Sequence, residues 1–191
     1  MGTKFWTSDT HFLHRKIVEF TNRGVETTKE LHDDWLINLW NNQVNSSGLV
    51  YVLGDFSFAK NYEDIASVVD QLNGQKIFIK GNHDRSEHLD QLAKDNLIAA
   101  WYDYKEIKIA GIKTCLFHFP ISSWANQSHG SWHCHGHSHG NHVDSKGKML
   151  DVGLDSAYNI FGQHKFFSED DIQEIMQKKS IYTSDAHRNK E

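Results

Sequence analysis

The stretch "KIFIKGNHD", residues 76–84, runs from an apolar segment straight into a glycine and a group of polar residues. An apolar run of this length that ends at glycine is typical of a buried strand leading into a sharp turn. "LVYVLGD" (49–55) has the same pattern, and "KFWTSD" (4–9) is a similar strand that ends in polar residues without a glycine. Helices are predicted between and after these strands, over 13–21, 30–44, 62–74 and 86–94. Because strands and helices alternate, we expect the first half of the chain to form βα units.

The second half of the chain has a different pattern, which favours a second sheet. The segment 102–120 alternates between apolar and polar residues on both sides of Ala110–Gly111, as a β-hairpin does. Two further strands and one helix are predicted over 131–137, 148–155 and 168–179. Ser168 is the expected N-cap of that helix, since acidic residues follow it in the first turn. These patterns together predict an α/β fold with two packed sheets and helices outside them.

The composition fits one globular domain and excludes several classes of protein. The 191 residues carry a net charge of −5 with scattered Lys and Arg, so binding to an extended nucleic-acid duplex is not expected. No apolar run approaches the roughly 18 residues of a membrane span, and the first residues lack a signal-peptide pattern, so we expect a cytoplasmic protein. Two cysteines are too few for a disulfide framework. Residues 1–180 are therefore predicted to form one domain, with a polar tail over 181–191.

Side chains that can bind metals or take part in catalysis follow almost every predicted strand. The first three strands end in Asp9 and His11, in Asp55, and in Asn82–His83–Asp84. Later strands end at His118 and at "GHSH" (136–139), which contributes His137 and His139. Because ligands of α/β sheets bind at the carboxyl ends of the strands, we expect these side chains to meet in one place.

The "GHSHG" stretch (136–140) also fits the G-x-S-x-G pattern of serine hydrolases. In that reading Ser138 would be the nucleophile, with Asp151 and His164 completing a triad. A helix should then follow Ser138, whereas "GNHVDSKGKM" is turn-like, so this reading is disfavoured. The neighbouring His133 and His135 stay open: they either line the approach to a site, support ligands by hydrogen bonds, or are ordinary strand residues.

Five short blocks stand in the order of a known family signature: "DTH" (9–11), "GD" (54–55), "GNHD" (81–84), "FH" (117–118) and "GHSH" (136–139). The sequence thus resembles the calcineurin-like metallophosphoesterases, and in particular a small bacterial and phage branch of that superfamily. The resemblance implies a four-layer α/β/β/α sandwich of two mixed sheets flanked by helices. One departure concerns the run after the second block, "GDFSFAKNYED", in which many relatives carry a second Asp.

The resemblance also implies roles for individual residues. One divalent ion would be bound by Asp9, His11 and His139, and a second by Asn82, His118 and His137. The carboxylate of Asp55 would bridge the two ions. His83 would protonate the leaving oxygen, and Asp84 would orient and polarise His83. Manganese is the expected metal, with iron, nickel, cobalt or zinc as alternatives that suit the same ligands.

The activity implied is hydrolysis of a phosphate ester by a metal-bound hydroxide. Two divalent ions less two carboxylates leave a charge of roughly +2, which attracts a phosphate. A phosphodiesterase acting on a small nucleotide or cyclic phosphate is favoured, because few basic groups stand ready for a dianionic monoester. A phosphomonoesterase and a non-catalytic metal-binding scaffold are the alternatives. His14, Arg15 and Arg85 are candidate substrate contacts, or else simply solvated residues at helix starts.

Overall fold

The computed structural model describes residues 2–141 and 146–182. The strands are β1 (Lys4–Thr7), β2 (Leu49–Leu53), β3 (Gln75–Ile79), β4 (Ala100–Tyr102), β5 (Tyr104–Ile109), β6 (Ile112–Phe117), β7 (Trp132–His135), β8 (Met149–Asp151) and β9 (Phe167–Ser168). The α-helices are α1 (Ile17–Phe20), α2 (His32–Gln43), α3 (Tyr62–Asp70), α4 (Ser86–Lys94), α5 (Leu154–Phe161) and α6 (Glu169–Gln177). The predicted tail over 181–191 falls largely outside these ranges, since residues 183–191 are not described.

The first sheet has the strand order β4-β3-β2-β1-β9. The strands β1 to β4 are parallel, and only β9 runs antiparallel, against β1. The middle strand β2 is buried on both sides, because Val50 and Val52 face the helices while Tyr51 and Leu53 face the second sheet. A nearly continuous apolar sequence is what a central parallel strand needs. The helices α2, α3 and α4 cover the outer side of this sheet through residues such as Trp40.

The second sheet has the order β5-β6-β7-β8 and is also mixed. The strands β5 and β6 form the predicted hairpin, and β6, β7 and β8 are parallel. Leu116, Cys134 and Leu150 face the first sheet, where they belong to the same buried cluster as Trp6 and the apolar residues of α6. The opposite side is covered by the segment that follows β6, through Trp124. The prediction of an α/β fold with two mixed sheets and flanking helices is confirmed.

Three predictions about single elements were wrong. The helix expected over 13–21 is reduced to Ile17–Phe20, because the preceding residues form turns in which Leu13 has a φ of 63°. The strand expected over 148–155 ends at Asp151, and α5 begins three residues later behind Gly153. The hairpin prediction began at 102, but that position ends β4, a short strand which pairs with β3. Strands as short as β4 and β9 have too few residues for a recognisable alternation.

Two other features agree with the sequence. Ser168 is the N-cap of α6 and forms a capping box with Asp171. Both cysteines, Cys115 and Cys134, are buried free thiols. In the described ranges, no helix has the length and apolar character required to cross a membrane.

The loops that carry the candidate ligands are joined to one another by backbone hydrogen bonds. The amide of Asp9 donates to the carbonyl of Gly54 (3.0 Å), and that of His11 donates to the carbonyl of Asp55 (3.1 Å). The amide of Gly136 donates to the carbonyl of His118 (2.9 Å). The ends of β1 and β2, and likewise of β6 and β7, are therefore held side by side at one edge of the two sheets.

Candidate metal centre

The first group of candidate ligands consists of Asp9, His11 and His139. The Nε2 atoms of His11 and His139 lie 3.2 Å apart. Oδ1 of Asp9 lies 3.9 Å from each of these two nitrogens. This oxygen is buried and has no hydrogen-bond partner among the described residues. Three donor atoms thus point at one another, although they come from the ends of β1 and β7.

The second group consists of Asp55, Asn82, His118 and His137. Oδ1 of Asn82 lies 3.0 Å from Nε2 of His118 and 3.0 Å from Nδ1 of His137. Oδ2 of Asp55 lies 3.5 Å from Nε2 of His118. Donor atoms bound to a first-row metal at about 2.0–2.2 Å stand roughly 3.0–3.6 Å apart, so the spacing of the second group fits such an ion. In the first group the two nitrogens have this spacing (3.2 Å), and Oδ1 of Asp9 stands slightly farther from them (3.9 Å). The structure brings together every predicted ligand, while the bridging role of Asp55 stays a prediction.

In two of the histidines, the ring nitrogen that faces away from the site makes a hydrogen bond. This bond directs the other ring nitrogen into the site. Nδ1 of His139 donates to Oδ2 of Asp155 at 2.6 Å. Nδ1 of His118 lies 2.7 Å from the carbonyl oxygen of Leu53, to which it donates. Metal-binding histidines usually make such a bond with the nitrogen that does not bind the metal.

Most of the residues in question have an unusual backbone conformation. The φ angles of Asp9, His11, Asp55, His137 and His139 are all positive, between 48° and 68°. Residues other than glycine seldom adopt this region, and each such residue costs about 1–3 kcal/mol, so their grouping at one place is a sign of a functional site.

The glycines of the motifs are required because the loops approach each other closely. A Cβ on Gly136 would lie 1.7 Å from Oγ of Ser8, and one on Gly81 would lie 2.2 Å from Oδ1 of Asp55. Gly54 has a φ of 91°, and its Cβ would lie 2.3 Å from Nδ1 of His118. Each glycine therefore leaves room for a candidate ligand or for a residue that holds one.

Asp84 does not have the predicted contact with His83. Its Oδ2 accepts the amides of Asp55 (2.9 Å) and Gly81 (2.8 Å), and its Oδ1 accepts the amide of Phe56 (3.0 Å). The buried carboxylate is directed at these amides because they have no other partner in the loops, and no hydrogen bond joins it to the ring of His83 among the described residues. Asp84 thus fixes the loops after β2 and β3 to each other, which corrects its predicted role.

His83 itself faces the site, with 46% of its side chain exposed. Its backbone amide donates to Oδ1 of Asp55, and its Nε2 lies 3.9 Å from Oδ2 of the same residue. The ring of Phe58 packs against it, with 4.3 Å between centroids. Phe58 also contacts His11 (5.1 Å) and stacks on His14 (4.0 Å). Phe58, in the segment after the second block, therefore contacts three histidines at the site.

The candidate substrate contacts differ in position. His14 is half-buried beside the cluster, and burial, together with the charge of His83, lowers its pKa. Arg85 is exposed and donates to the carbonyl of Lys60 (3.1 Å). Arg15 is exposed, and no hydrogen bond joins it to the cluster among the described residues. The structure thus places only His14 next to the ligands.

Charges are strongly coupled within the cluster. Burial and the charge of Asp151 raise the pKa of Asp9 to about 7. Burial opposes the charge of His118, yet the hydrogen bond with Asp55 and the negative charges of Asp9 and Asp55 raise its pKa to about 9. Burial alone would raise the pKa of Asp55, but its contacts with His118 lower it to about 2. The acidic groups thus stabilise positive charge at this place.

Sequence reasoning did not assign to the metal centre three buried residues that lie behind the first group: Arg23, Asp151 and Asp155. Arg23 pairs with Asp155 through two hydrogen bonds. Asp151 accepts the amides of Gly140 (2.9 Å) and Gly153 (2.8 Å) and so shapes the turn after His139. Asp151 stands at the end of a strand, as the candidate ligands stand after theirs, so its position in the sequence could have marked it as a site residue. No sequence pattern marks Arg23, which lies in a 3₁₀ turn over Asn22–Val25.

The two open histidines support the backbone beside the ligands. Nε2 of His133 lies 3.1 Å from the carbonyl oxygen of Phe119, the residue after His118. Nδ1 of His135 lies 2.8 Å from the carbonyl oxygen of Gly136, the residue before His137. Both rings are buried, so they belong to the interior and do not line an approach to the site.

The serine-hydrolase triad is not assembled. Asp151 binds backbone amides, and Nδ1 of His164 lies 2.9 Å from Oε1 of Glu26. The hydroxyl of Ser138 donates to the carbonyl of Gly136. Ser138 is a spacer between the candidate ligands His137 and His139, and the nearby His142 lies outside the described residues.

Comparisons with known proteins show relatives without an assigned activity. No family model matches the chain. It is 36% identical over 155 residues to the uncharacterized protein MJ1445 of Methanocaldococcus jannaschii. The aligned region covers 78% of this chain and 79% of the relative. It is 23% identical to the gene 66 protein of Mycobacterium phage L5, over 96% of this chain and 100% of the phage protein. A crystal structure of AQ665, a protein of unknown function from Aquifex aeolicus, matches with a TM-score of 0.66 at 21% identity, over 92% of this chain and 100% of that one. This last likeness supports the fold alone.

Proposed function

We propose that this chain, which belongs to the same protein family as MJ1445 of Methanocaldococcus jannaschii, is a dinuclear metal-dependent phosphoesterase. The observation that carries the proposal is the convergence of two ligand groups from five separate loops at one edge of the sheets. One group is Asp9, His11 and His139, and the other is Asp55, His118 and His137 with Asn82. A structural role for these residues would not require an unpartnered, buried carboxylate oxygen on Asp9.

The donor set fits two divalent ions of the first transition row. Imidazole nitrogens, carboxylates and one amide suit manganese, iron, cobalt, nickel or zinc. Ions bound in this way supply Lewis-acid stabilisation of a phosphate oxygen and lower the pKa of water to near neutrality. Burial and the charge of Arg23 lower the pKa of His11 to about 2, so its imidazole is neutral and ready to bind a cation.

The positions of His83 and Asn82 support the proposed reaction. The ring of His83 stands between the two groups, with its centroid 6.1 Å from that of His11 and its Nε2 3.9 Å from Asp55. Because the ring is half-exposed, it can donate a proton to the leaving oxygen of a bound ester. Asn82 is a neutral ligand, which leaves more positive charge for the phosphate than a carboxylate would.

The favoured substrate is a phosphodiester of a small nucleotide or a cyclic phosphate. A dianionic monoester needs more cationic groups, and the arginines near the cluster do not offer them in the described ranges. Arg23 is fully buried against Asp155, and Arg85 donates to the carbonyl of Lys60. Of the two alternatives, a phosphomonoesterase would hydrolyse monoesters faster than diesters, and a non-catalytic scaffold would hydrolyse neither. The fold that accompanies the proposal is the four-layer α/β/β/α sandwich of the calcineurin-like enzymes.

Hydrolysis assays with purified protein test the proposal. With saturating Mn²⁺ we expect turnover of bis-p-nitrophenyl phosphate that exceeds turnover of p-nitrophenyl phosphate and that a chelator abolishes. The variant Asp55→Asn serves as the inactive control, whereas Ser138→Ala keeps full activity because Ser138 is a spacer. Absence of turnover on diesters, monoesters and cyclic nucleotides with each of the five metals would refute the enzyme proposal. Faster hydrolysis of monoesters would favour the phosphomonoesterase.

A further inference from the structure

A fully buried arginine, Arg23, lies directly behind the first ligand group. Its Nε and Nη2 donate to the two carboxylate oxygens of Asp155, at 3.1 and 3.0 Å. Its Nη2 also donates to the carbonyl of Asp9 (2.5 Å), and its Nη1 donates to that of Thr10 (2.8 Å). Nε2 of His32 lies 3.1 Å from Nη1. The guanidinium is thus bonded on all sides, and none of these bonds reaches the surface.

The contacts of Arg23 connect the two halves of the first metal group. Through the carbonyl oxygens of Asp9 and Thr10 it holds the turn after β1, where the backbone has positive φ. Through Asp155 it holds His139, since Nδ1 of that ring donates to the oxygen that Nη2 binds. One side chain therefore fixes the backbone of Asp9 in the turn after β1 and the imidazole of His139 in the loop after β7.

We infer that Arg23 is a positioning residue for the first metal site, acting through the Asp9 backbone and through Asp155 on His139. The inference rests on the proposed metal centre, but not on the reaction catalysed there. Both carboxylate oxygens of Asp155 accept hydrogen bonds from Arg23, and Oδ2 also accepts the bond from the ring of His139, so the pair holds that ring in place. With the pair neutral as a whole, the charge left for a metal is that of Asp9.

The geometry of the guanidinium is essential to this role. Lysine has three donors on one nitrogen and cannot make the parallel pair of bonds to a carboxylate while it also reaches two carbonyls in other directions. Arg23→Lys keeps the charge but loses at least one of the two connections. Residues that orient metal ligands typically change metal affinity by about 10–100-fold when they are substituted. The second group has no contact with Arg23 among the described residues and is expected to be unaffected.

A buried lysine elsewhere offers a matched control for loss of stability. Nζ of Lys76 donates to the carbonyls of Leu72 (2.7 Å) and Val69 (3.2 Å), behind α3 and away from the ligands. Lys76→Met therefore removes buried hydrogen bonds of a similar kind without touching either metal group. Any effect on metal binding that merely follows from loosened packing appears in this variant too.

The experiment is a calorimetric Mn²⁺ titration of metal-free protein, with thermal unfolding recorded for each variant. The variant Asn82→Ala weakens the second site, so its remaining binding step reports on the first. In that background we expect Arg23→Lys and Asp155→Asn to weaken Mn²⁺ binding by about 10–100-fold each. The double variant should be little worse than either single one, because both residues act in one chain of contacts. Asp155→Asn keeps the volume of the side chain and tests the same link if Arg23→Lys does not fold.

The outcomes separate this inference from the proposed activity. Unchanged first-site affinity in Arg23→Lys, or a loss equal to that of Lys76→Met, would overturn the inference. Wild-type protein that binds no Mn²⁺ would overturn both the inference and the metal centre. Protein that binds two ions but hydrolyses no phosphate ester would refute the proposed enzyme, and a selective loss at the first site in Arg23→Lys would still support the inference.

Discussion

The substitution Asp84→Asn distinguishes the role that the family resemblance implies from the role that the structure gives this residue. The carboxylate accepts three backbone amides, two through Oδ2 and one through Oδ1. Asparagine has a single acceptor oxygen. If that oxygen takes the place of Oδ2, the amide of Phe56 faces an NH₂ group and one hydrogen bond is lost.

The cost follows from that lost bond. A hydrogen bond to a charged group contributes about 1.5–3 kcal/mol, and the unpaired amide stays buried. For a protein of this length, each kcal/mol lowers the melting temperature by about 2–4 °C, so we expect a decrease of about 3–12 °C. The loops after β2 and β3 carry Asp55 and Asn82, so Mn²⁺ binding at the second site should weaken as well.

Differential scanning calorimetry and Mn²⁺ titration measure both effects, and His83→Gln is the matched control. His83 is half-exposed, so His83→Gln should unfold as the wild type does and bind both ions while turnover falls. The reasoning would be refuted by an Asp84→Asn protein of normal stability and metal affinity whose turnover equals that of His83→Gln. A double variant no slower than either single one would then show that Asp84 acts through His83 after all.

Three further substitutions or reagents test separate parts of the structure. Gly81→Ala should lose Mn²⁺ at the second site, because its Cβ would lie 2.2 Å from Oδ1 of Asp55, whereas Gly24→Ala, with neighbours at 3.7 Å, should bind as the wild type does; equal titrations would contradict this. Phe58→Leu should lower turnover roughly 10–100-fold with both ions retained, because His83 loses the ring that orients it. Phe58→Tyr keeps the ring and should keep most of the rate, whereas an unchanged rate in Phe58→Leu would show that Phe58 does not orient His83. Burial raises the pKa of Cys115 to about 11 and raises that of Cys134, so both thiols stay protonated at pH 8 and should react with Ellman's reagent only after unfolding; rapid labelling of the folded protein would argue against their burial.

The candidate ligands could be predicted from the sequence because each follows a strand. An apolar run, a glycine and a ligand such as Asp55 or His137 form a local signal, and parallel strands bring such signals to one edge. The grouping into two sets was implied by the family resemblance alone, and the structure has the same groups, with His139 beside His11 and His137 beside His118.

The residues that hold the ligands could not be predicted in the same way. Arg23 lies in a 3₁₀ turn and Asp155 in a helix, and only the packing of α5 against that turn brings them together. The contacts of Asp84 depend on which amides the neighbouring loops leave unpaired, which no local pattern records. The start of α1 was misjudged for a related reason: turns that keep His11 and His14 at the site replace the helical conformation there.

The central claim is that two metal ions share this cluster, and anomalous diffraction from crystals grown with Mn²⁺ tests it most directly. We expect two peaks above the noise. One should lie among Asp9, His11 and His139, and the other among Asn82, His118 and His137, with Asp55 in contact with both. A single peak, peaks elsewhere on the protein, or no peak at a saturating Mn²⁺ concentration would contradict the account.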